Sequence, residues 1–145
     1  RDCLLNLLNS VVLSRIDYGS VVYESASRSA LKMLDPVHHL GLRLASGAFR
    51  TSPTASLYVE TDRWSLERRR QFTSVTYATK VLSHIDHPAR ALLQDTSNAH
   101  LFSRRPSATP PYPLRVASHF ENLHIPVYNL QLSSHNDTVV PWEMR

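Results

Sequence analysis

The histidine and cysteine side chains that could hold a zinc ion in this chain are eight histidines and one cysteine, Cys3. The histidines come closest together as the pair His38 and His39 and as the group of His84 and His87. A zinc site generally needs three or four converging ligands, with cysteines or a His-Glu-x-x-His helix among them. The chain has neither, so the sequence predicts no metal site. We expect His38, which faces the apolar stripe of its helix, to be a buried core residue with satisfied hydrogen bonds.

Acidic residues are the other group that could do chemistry, because two-metal phosphoryl transfer requires clustered carboxylates to hold two Mg²⁺ ions. The chain has twelve acidic residues, but they are scattered singly and no two are adjacent. Cys3 has no neighbouring base, and Leu4 and Leu5 beside it suggest that it is buried. The three glycines do not form a phosphate-binding loop. We therefore predict a chain without catalytic residues and without a bound cofactor.

A stripe of basic residues on one predicted helix is the strongest candidate for a binding surface. Its four members recur at helical spacing, and they are Lys32, His39, Arg43 and Arg50. At 100° per residue these positions fall within about 40° of one another, opposite the apolar stripe of the same helix. A cationic face of this kind could follow the phosphate backbone of a nucleic acid. The alternative is that the stripe is the solvated outer face that every amphipathic helix has.

The run Arg68-Arg69-Arg70 is a second group of cations, although consecutive residues of a helix point 100° apart and cannot share one face. Only Arg69 continues a polar stripe, which it shares with two threonines and Lys80. We therefore add Arg69 and Lys80 to the predicted nucleic-acid-binding residues. Arg68 lies beside apolar positions, so we expect it to border the core or to pair with an acid.

The composition is that of one ordinary domain with a mild basic bias. The chain has 145 residues, 42% of them apolar, with a formal net charge of +4 and a pI near 9.6. Fourteen of the sixteen basic residues are arginine, whose guanidinium matches phosphate geometry better than a lysine ammonium group does. This composition is compatible with a polyanionic partner without requiring one.

Cysteine usage and hydropathy restrict the cellular location. A single cysteine excludes an internal disulfide and fits a reducing compartment, so we expect an intracellular protein, nuclear or cytoplasmic. No apolar run approaches about 18 residues, so we expect no membrane partner. There is no initiator Met and no signal peptide ahead of the first amphipathic segment, which indicates a chain cut from a longer protein.

Proline positions divide the chain near residue 85. Two of the nine prolines precede that point and seven follow it. Residues 1–80 have 11 basic and 7 acidic side chains, whereas residues 81–145 have 5 of each. We therefore predict a helical domain over residues 1–84 and a proline-rich, largely irregular connector over residues 85–145.

Apolar periodicity predicts two helices in the first half of the helical domain. The first covers about residues 2–16 and ends at Asp17-Tyr18-Gly19, with Leu7 and Leu13 outside its main apolar stripe. The second begins after Ser27 as N-cap, and Pro36 should kink or split it near residue 35. Gly41 on this helix should permit another helix to approach closely.

The remaining elements are a short helical turn, one long helix and one short helix in the connector. Ser52 and Pro53 have the chemistry of N-cap and N1, which predicts a helical turn through about Glu60. The long helix spans about residues 65–84, with the inward positions Phe72, Val75, Ala78 and Leu82. Only about residues 114–123 of the connector look helical, and the rest is expected to be extended.

Four segments in this order resemble the region after the polymerase palm in jockey-type non-LTR retrotransposons of arthropods. Each contains a recurring feature of that region: a Tyr-Gly step followed by an aromatic residue, a helix that ends in Leu-Arg, a Ser-Pro turn and a proline-rich segment. They are Ser14 to Tyr23, Asp35 to Leu44, Gly47 to Pro53 and Pro106 to Arg115. The resemblance covers nearly the whole chain.

The resemblance implies a helical thumb and connector from an RNA-directed DNA polymerase. In such a parent the thumb grips the RNA/DNA template-primer duplex, and Mg²⁺ belongs to the polymerase centre outside this chain. Its other implied partners are the polymerase palm and a downstream domain of the same polyprotein. We therefore expect a mainly α fold, a small three-helix thumb-like assembly followed by the connector, that binds without chemistry.

Two other functions stay open. The chain could be a structural linker that holds the reverse transcriptase and a ribonuclease H domain at a set distance. It could also be a small helical interaction protein derived from a decayed element.

Overall fold

The computed structural model describes residues 2–84, 86–95, 97, 99–104 and 108–125, and this part of the chain contains helices and turns without a strand. The predicted mainly α fold is thereby confirmed. In chain order the elements are α1 (Asp2–Leu7), a π-helical turn (Leu8–Leu13), α2 (Ser14–Asp17), α3 (Ser20–Tyr23), α4 (Arg28–Lys32), α5 (Asp35–Ser46), α6 (Thr54–Thr61), α7 (Leu66–Ser83), α8 (Arg90–Gln94), α9 (Ala99–Ser103) and α10 (Tyr112–Asn122).

The first predicted helix is confirmed, with a π-helical turn between α1 and α2. Gly19 follows in the left-handed region at φ +70°, which ends the helix as the Asp-Tyr-Gly step predicted. Leu13 was expected outside the apolar stripe, yet it is one of the most buried side chains. A π turn holds more residues than an α turn, so it rotates every later residue relative to an ideal helix. This rotation brings Leu13 into the core beside Leu5 and Leu8.

The second predicted helix is split, as Pro36 indicated. Ser27 caps α4 by accepting a hydrogen bond from the backbone N–H of Ala30 at 3.3 Å. The helix is interrupted after Lys32, and α5 starts with Pro36 in its first turn, where a missing N–H costs no hydrogen bond. Gly47 ends α5 at φ +73°, a left-handed conformation that glycine adopts without strain.

Helices α6 and α7 lie where the sequence placed them, with one shift. Pro53 occupies the cap position and α6 begins at Thr54, so the predicted N-cap at Ser52 is wrong by one residue. Ser65 caps α7 by accepting a hydrogen bond from the N–H of Arg68 at 3.3 Å.

A first hydrophobic core forms where α1, the π-helical turn, α5 and α6 meet the start of α7. Its buried members are Leu5, Leu8, Leu13, Leu42, Ala45, Leu57 and Leu66. The predicted close approach at Gly41 is confirmed, because a Cβ there would lie 2.4 Å from a methyl carbon of Leu8. The exposed side of the same helices keeps an apolar surface, formed by Leu4, Leu7, Val37, Leu40 and Leu44.

The inward face of α7 differs from the prediction. Ala78 and Leu82 are buried as expected, but Phe72 is 58% exposed. The buried positions of this helix include Arg70 and Ser74, because α3 places Tyr23 and Glu24 against that side. Because α7 turns Arg70 and Ser74 toward the interior, Phe72 lies on the surface of the protein.

A second core joins α7 to the end of the described chain. Ala78 and Leu82 pack with Val116 and Phe120 of α10. Helix α10 was predicted at about residues 114–123 and is observed at Tyr112–Asn122. The prediction of an extended connector is wrong at Arg90–Gln94 and Ala99–Ser103, which form the short helices α8 and α9.

Contacts between α7 and α10 cross the predicted boundary near residue 84. The division into two domains stays a prediction. The part of the connector expected to be extended beyond residue 125 lies outside the described residues.

Candidate nucleic-acid interface

The predicted basic stripe does not lie on one helix. Lys32 is the last residue of α4, His39 and Arg43 are on α5, and Arg50 follows in the turn after α5 ends. Helical spacing fixes a common face only while the helix is continuous. The interruption after Lys32 and the left-handed Gly47 therefore remove the geometric argument that aligned all four residues.

The two members of the stripe on α5 both make contacts within the protein. The Nε2 atom of His39 lies 2.6 Å from the hydroxyl oxygen of Tyr58 on α6, and the two groups share a hydrogen bond. Arg43 donates from Nη2 to the backbone oxygen of Ser52 at 3.2 Å, which ties the end of α5 to the following turn. The Nε atom of Arg43 is buried without a hydrogen-bond partner among the described residues. His39 is thus part of the α5–α6 packing, and Arg43 is only partly satisfied.

His38 is fully buried beside these residues, as its place on the apolar stripe predicted. Its ring meets Tyr58 edge to face, with the centroids 5.8 Å apart. Both ring nitrogens lack a hydrogen-bond partner among the described residues, so the expectation of a satisfied histidine is wrong. Burial, more than the neighbouring His39 and Arg69, lowers the pKa of His38 from 6.5 to about 4. His38 is therefore a neutral core residue at physiological pH.

The three other cations of the predicted set are exposed. Lys32, Arg50 and Lys80 extend into solvent, and none of them forms an ion pair with any residue in the described ranges. Side chains in this state can reach a phosphate group without first breaking a contact of the fold.

The three consecutive arginines have three different environments. Arg69 forms an ion pair with Asp17 of α2, and it also donates to the side-chain oxygen of Asn9 at 3.4 Å. Arg70 is buried, and its Nη1 atom has no hydrogen-bond partner in the part of the chain that is described. Arg68 is exposed and places its guanidinium carbon 4.9 Å from the centre of the Trp64 ring. Arg69 holds α2 against α7, so its side chain has a structural role in the fold.

Glu24 is the centre of a largely buried polar cluster that was not predicted from the sequence. Ser74 of α7 donates a hydrogen bond to its carboxylate. From α10, Arg115 Nε lies 3.8 Å from one carboxylate oxygen and His119 Nε2 lies 3.5 Å from the other. Tyr112 donates to the backbone oxygen of Ser74 at 2.8 Å, and burial raises the pKa of its hydroxyl. One carboxylate thereby connects α3, α7 and α10.

This cluster contains a serine, a histidine and an acid, but it does not have the geometry of a catalytic triad. In a triad the hydroxyl donates to the imidazole, and the acid holds the opposite side of that ring. Here Ser74 donates to Glu24 directly, and Ser74 is fully buried. The arrangement stabilises the helix packing.

Neither metal binding nor a buried thiol is supported in the part of the chain that the structure covers. No group of three or more histidine, cysteine or acidic side chains is placed to hold a metal ion there. Cys3 is exposed, which corrects the expected burial. Leu4 beside it is exposed as well, because only Leu5 of this pair turns toward the core.

An exposed aromatic cluster at the start of α7 was missed by the sequence reasoning. Trp64 is 42% exposed, and its ring meets Phe72 edge to face at a centroid distance of 5.4 Å. A cavity of about 230 Å³ lies here. Both rings line it, together with Arg68, Gln71, Val75, His119, Asn122 and Leu123. A helical wheel is the signal that could have found it, because it places Phe72 about 120° from Leu66 and about 160° from Arg70.

Comparison with known proteins provides no relative, since no family model, no curated protein and no solved structure matches the chain. Among the residues that the structure describes, no helix is both long enough and apolar enough to cross a membrane.

Proposed function

We propose that the chain binds an RNA/DNA duplex through its phosphate backbone, as the non-catalytic, thumb-like part of a jockey-type RNA-directed DNA polymerase. The observation that carries this proposal is the state of Lys32, Arg50 and Lys80. Each is an exposed cation without an ion pair among the described residues. Contacts with phosphate dominate the affinity of proteins for duplex nucleic acid, and such cations supply them.

The end of α5 supports the same proposal. Arg43 lies in the last turn of that helix, and Arg50 lies in the turn that follows. A guanidinium has five N–H donors, and the single hydrogen bond from Arg43 to Ser52 leaves donors for an anionic partner. Cations also stabilise the C-terminal end of a helix through its dipole. The helix dipole would be stabilised by these cations whether or not they have free N–H donors. Their free donors are therefore the feature that supports binding to phosphate.

The test is the salt dependence of duplex binding by the full chain. A labelled RNA/DNA hybrid is titrated by fluorescence anisotropy at a series of salt concentrations. We expect the double variant Lys32→Gln/Arg50→Gln to bind more weakly, by a similar factor for every duplex sequence. It should also reduce the slope of log K against log salt by about two, since each lost phosphate contact removes roughly 0.9.

The matched control is Arg15→Gln/Arg104→Gln, which removes the same charge from two exposed arginines elsewhere. This control should change the affinity and the slope much less. If the two double variants behave alike, binding depends on net charge alone and the assignment of Lys32 and Arg50 as phosphate contacts is wrong. Absence of salt-dependent duplex binding by the wild-type chain would contradict the proposal as a whole.

A second proposal is a structural module between the reverse transcriptase and its downstream domain. The observation in its favour is the exposed apolar face of α5, on which Val37, Leu40 and Leu44 recur at helical spacing. Contiguous exposed apolar patches commonly mark surfaces that pack against another protein. This proposal predicts that replacing Leu40 and Leu44 with Ser increases solubility and leaves duplex binding unchanged.

A further inference from the structure

The cavity beside α7 has features that the duplex proposal does not use. Phe72 and Trp64 line it and are both exposed, whereas other residues of α7 occupy the buried side of that helix. Burial of a phenylalanine ring stabilises a fold, so leaving one 58% exposed forgoes that stabilisation. An exposed aromatic pair at the edge of a cavity instead offers a surface on which a planar ring can stack.

The polar groups around the two rings restrict what such a ring would be. Gln71 and Asn122 line the same cavity, and the side-chain amide of neither makes a hydrogen bond with any residue in the described ranges. An amide presents both a donor pair and an acceptor, which is the pattern needed to bind the edge of a nucleobase. An apolar partner side chain could accept or donate no hydrogen bond with either amide, whereas the edge of a base can do both.

Size and charge agree with this assignment. At about 230 Å³ the cavity is smaller than the roughly 300–1,000 Å³ typical of sites for drug-sized ligands, so it fits one ring system and not a larger molecule. Arg68 stands over one face of Trp64 and remains exposed, so a cation lies beside the cavity for contact with a phosphate. Single-stranded nucleic acids are bound by this combination of stacking aromatic residues and nearby arginine.

We infer that the cavity lined by Trp64, Arg68, Gln71, Phe72 and Asn122 binds an unpaired nucleobase of a single-stranded nucleic acid. The base stacks on the exposed ring of Phe72 and meets the Trp64 ring, which is inclined by 73° to Phe72, at its edge. The two amides hydrogen-bond the edge of the base, and Arg68 contacts the adjoining phosphate. A base inside a duplex cannot enter, because both its faces are covered by its neighbours. This site is separate from the cations of the duplex proposal, so the two can fail independently.

The test uses tryptophan fluorescence of the full chain. Trp64 and Trp142 are the two tryptophans, so the variant Trp142→Phe leaves Trp64 as the single reporter. We expect a short single-stranded RNA to quench the Trp64 emission and a fully paired RNA/DNA hybrid of the same length to quench it much less. In this background Phe72→Ala should weaken single-strand binding by about tenfold, the loss that removal of one stacking contact commonly causes.

Two further variants separate stacking from folding and from general apolar contact. Phe49→Ala removes an equally aromatic and 83% exposed ring outside the cavity, and it should leave binding unchanged. Phe72→Leu keeps an apolar side chain without a ring, and it should weaken binding nearly as much as Phe72→Ala. Circular dichroism should show the same helix content for all three variants.

The site is refuted if wild-type protein does not bind the single strand, if Phe49→Ala and Phe72→Ala have equal effects, or if Phe72→Leu binds like wild type. Duplex binding by Lys32→Gln/Arg50→Gln is measured in parallel. Loss of the duplex effect with an intact Phe72 effect overturns the proposed function and leaves the base site standing. The reverse result overturns the base site alone.

Discussion

The buried His38 should make the stability of this protein depend on pH, and replacing it with phenylalanine should remove that dependence. The histidine is fully buried, and its pKa is lowered from 6.5 to about 4. Below pH 6.5 the unfolded chain binds a proton on this imidazole that the folded protein does not bind until about pH 4. The free energy of unfolding therefore falls as the pH decreases from 6.5 to 4, and this contribution is constant again below pH 4.

The magnitude follows from the size of the pKa change. A shift of one unit corresponds to 1.36 kcal/mol, so the full loss reaches about 3 kcal/mol, of which about 2 kcal/mol is lost between pH 7 and pH 5. Charged neighbours oppose one another, because His39 and Arg69 lower this pKa whereas Asp35 and Asp17 raise it. Burial is the largest cause, so substitution of one neighbour should leave most of the effect.

Urea unfolding at pH 7 and at pH 5 measures this effect in wild type and in His38→Phe. The His38→Phe substitution keeps an aromatic ring against Tyr58. It also removes the two ring nitrogens of His38, which have no hydrogen-bond partner among the described residues. We expect wild type to lose about 2 kcal/mol more than His38→Phe over this interval. His84→Phe, at an exposed histidine, is the control and should behave like wild type. Equal pH dependence in wild type and His38→Phe would refute the argument.

Two further predictions concern packing and the buried carboxylate. Gly41→Leu should destabilise the protein by about 1–3 kcal/mol, because even a Cβ there would approach Leu8 to 2.4 Å. Adding Leu8→Ala should recover part of that loss in a double-mutant cycle from urea unfolding, whereas purely additive effects would show that the two residues do not compete for space. Glu24→Gln should cost about 3 kcal/mol in thermal unfolding, because it leaves Arg115 without its charged partner in a buried site. Glu67→Gln, at an exposed acid on α7, should stay within about 0.5 kcal/mol of wild type, and equal losses in the two variants would contradict the role given to Glu24.

Local sequence signals predicted the helices well. Ser27 and Pro36 act through their own backbone chemistry, and each one lies at the helix boundary where that chemistry is expected. The end of this helix at Gly47 was not predicted, because the basic stripe was continued past it to Arg50. Gly41 was identified for the same kind of reason, since only a residue without a side chain permits the observed approach of Leu8. These features depend on a few neighbouring residues, so a single sequence contains enough information to find them.

The candidate site depended on contacts between distant parts of the chain, and it was predicted less well. Phe72 was placed inward because it is apolar. The interior side of α7 instead contains Ser74, which donates a hydrogen bond to Glu24. These two residues are 50 positions apart in the sequence, so local periodicity could not reveal their contact. The stripe argument assumed one continuous helix, and it could not show that Tyr58 binds His39. Helices α8 and α9 were missed because each has five residues, too few for apolar periodicity to appear.

The π-helical turn at Leu8–Leu13 determines which changes in chain length the first helix can accept. The π-helical turn offsets the helical periodicity of the residues after it from that of the residues before it. With this offset, Leu5 before the turn and Leu13 at its end both lie in the same core. Deleting a single residue within the turn would convert it to an ordinary α-helical turn and rotate its two ends by 100° relative to each other. Either Leu5 or Leu13 would then leave the core. Exposed positions such as Leu7 can be substituted without moving that register, so this helix should diverge by substitution and seldom by insertion or deletion.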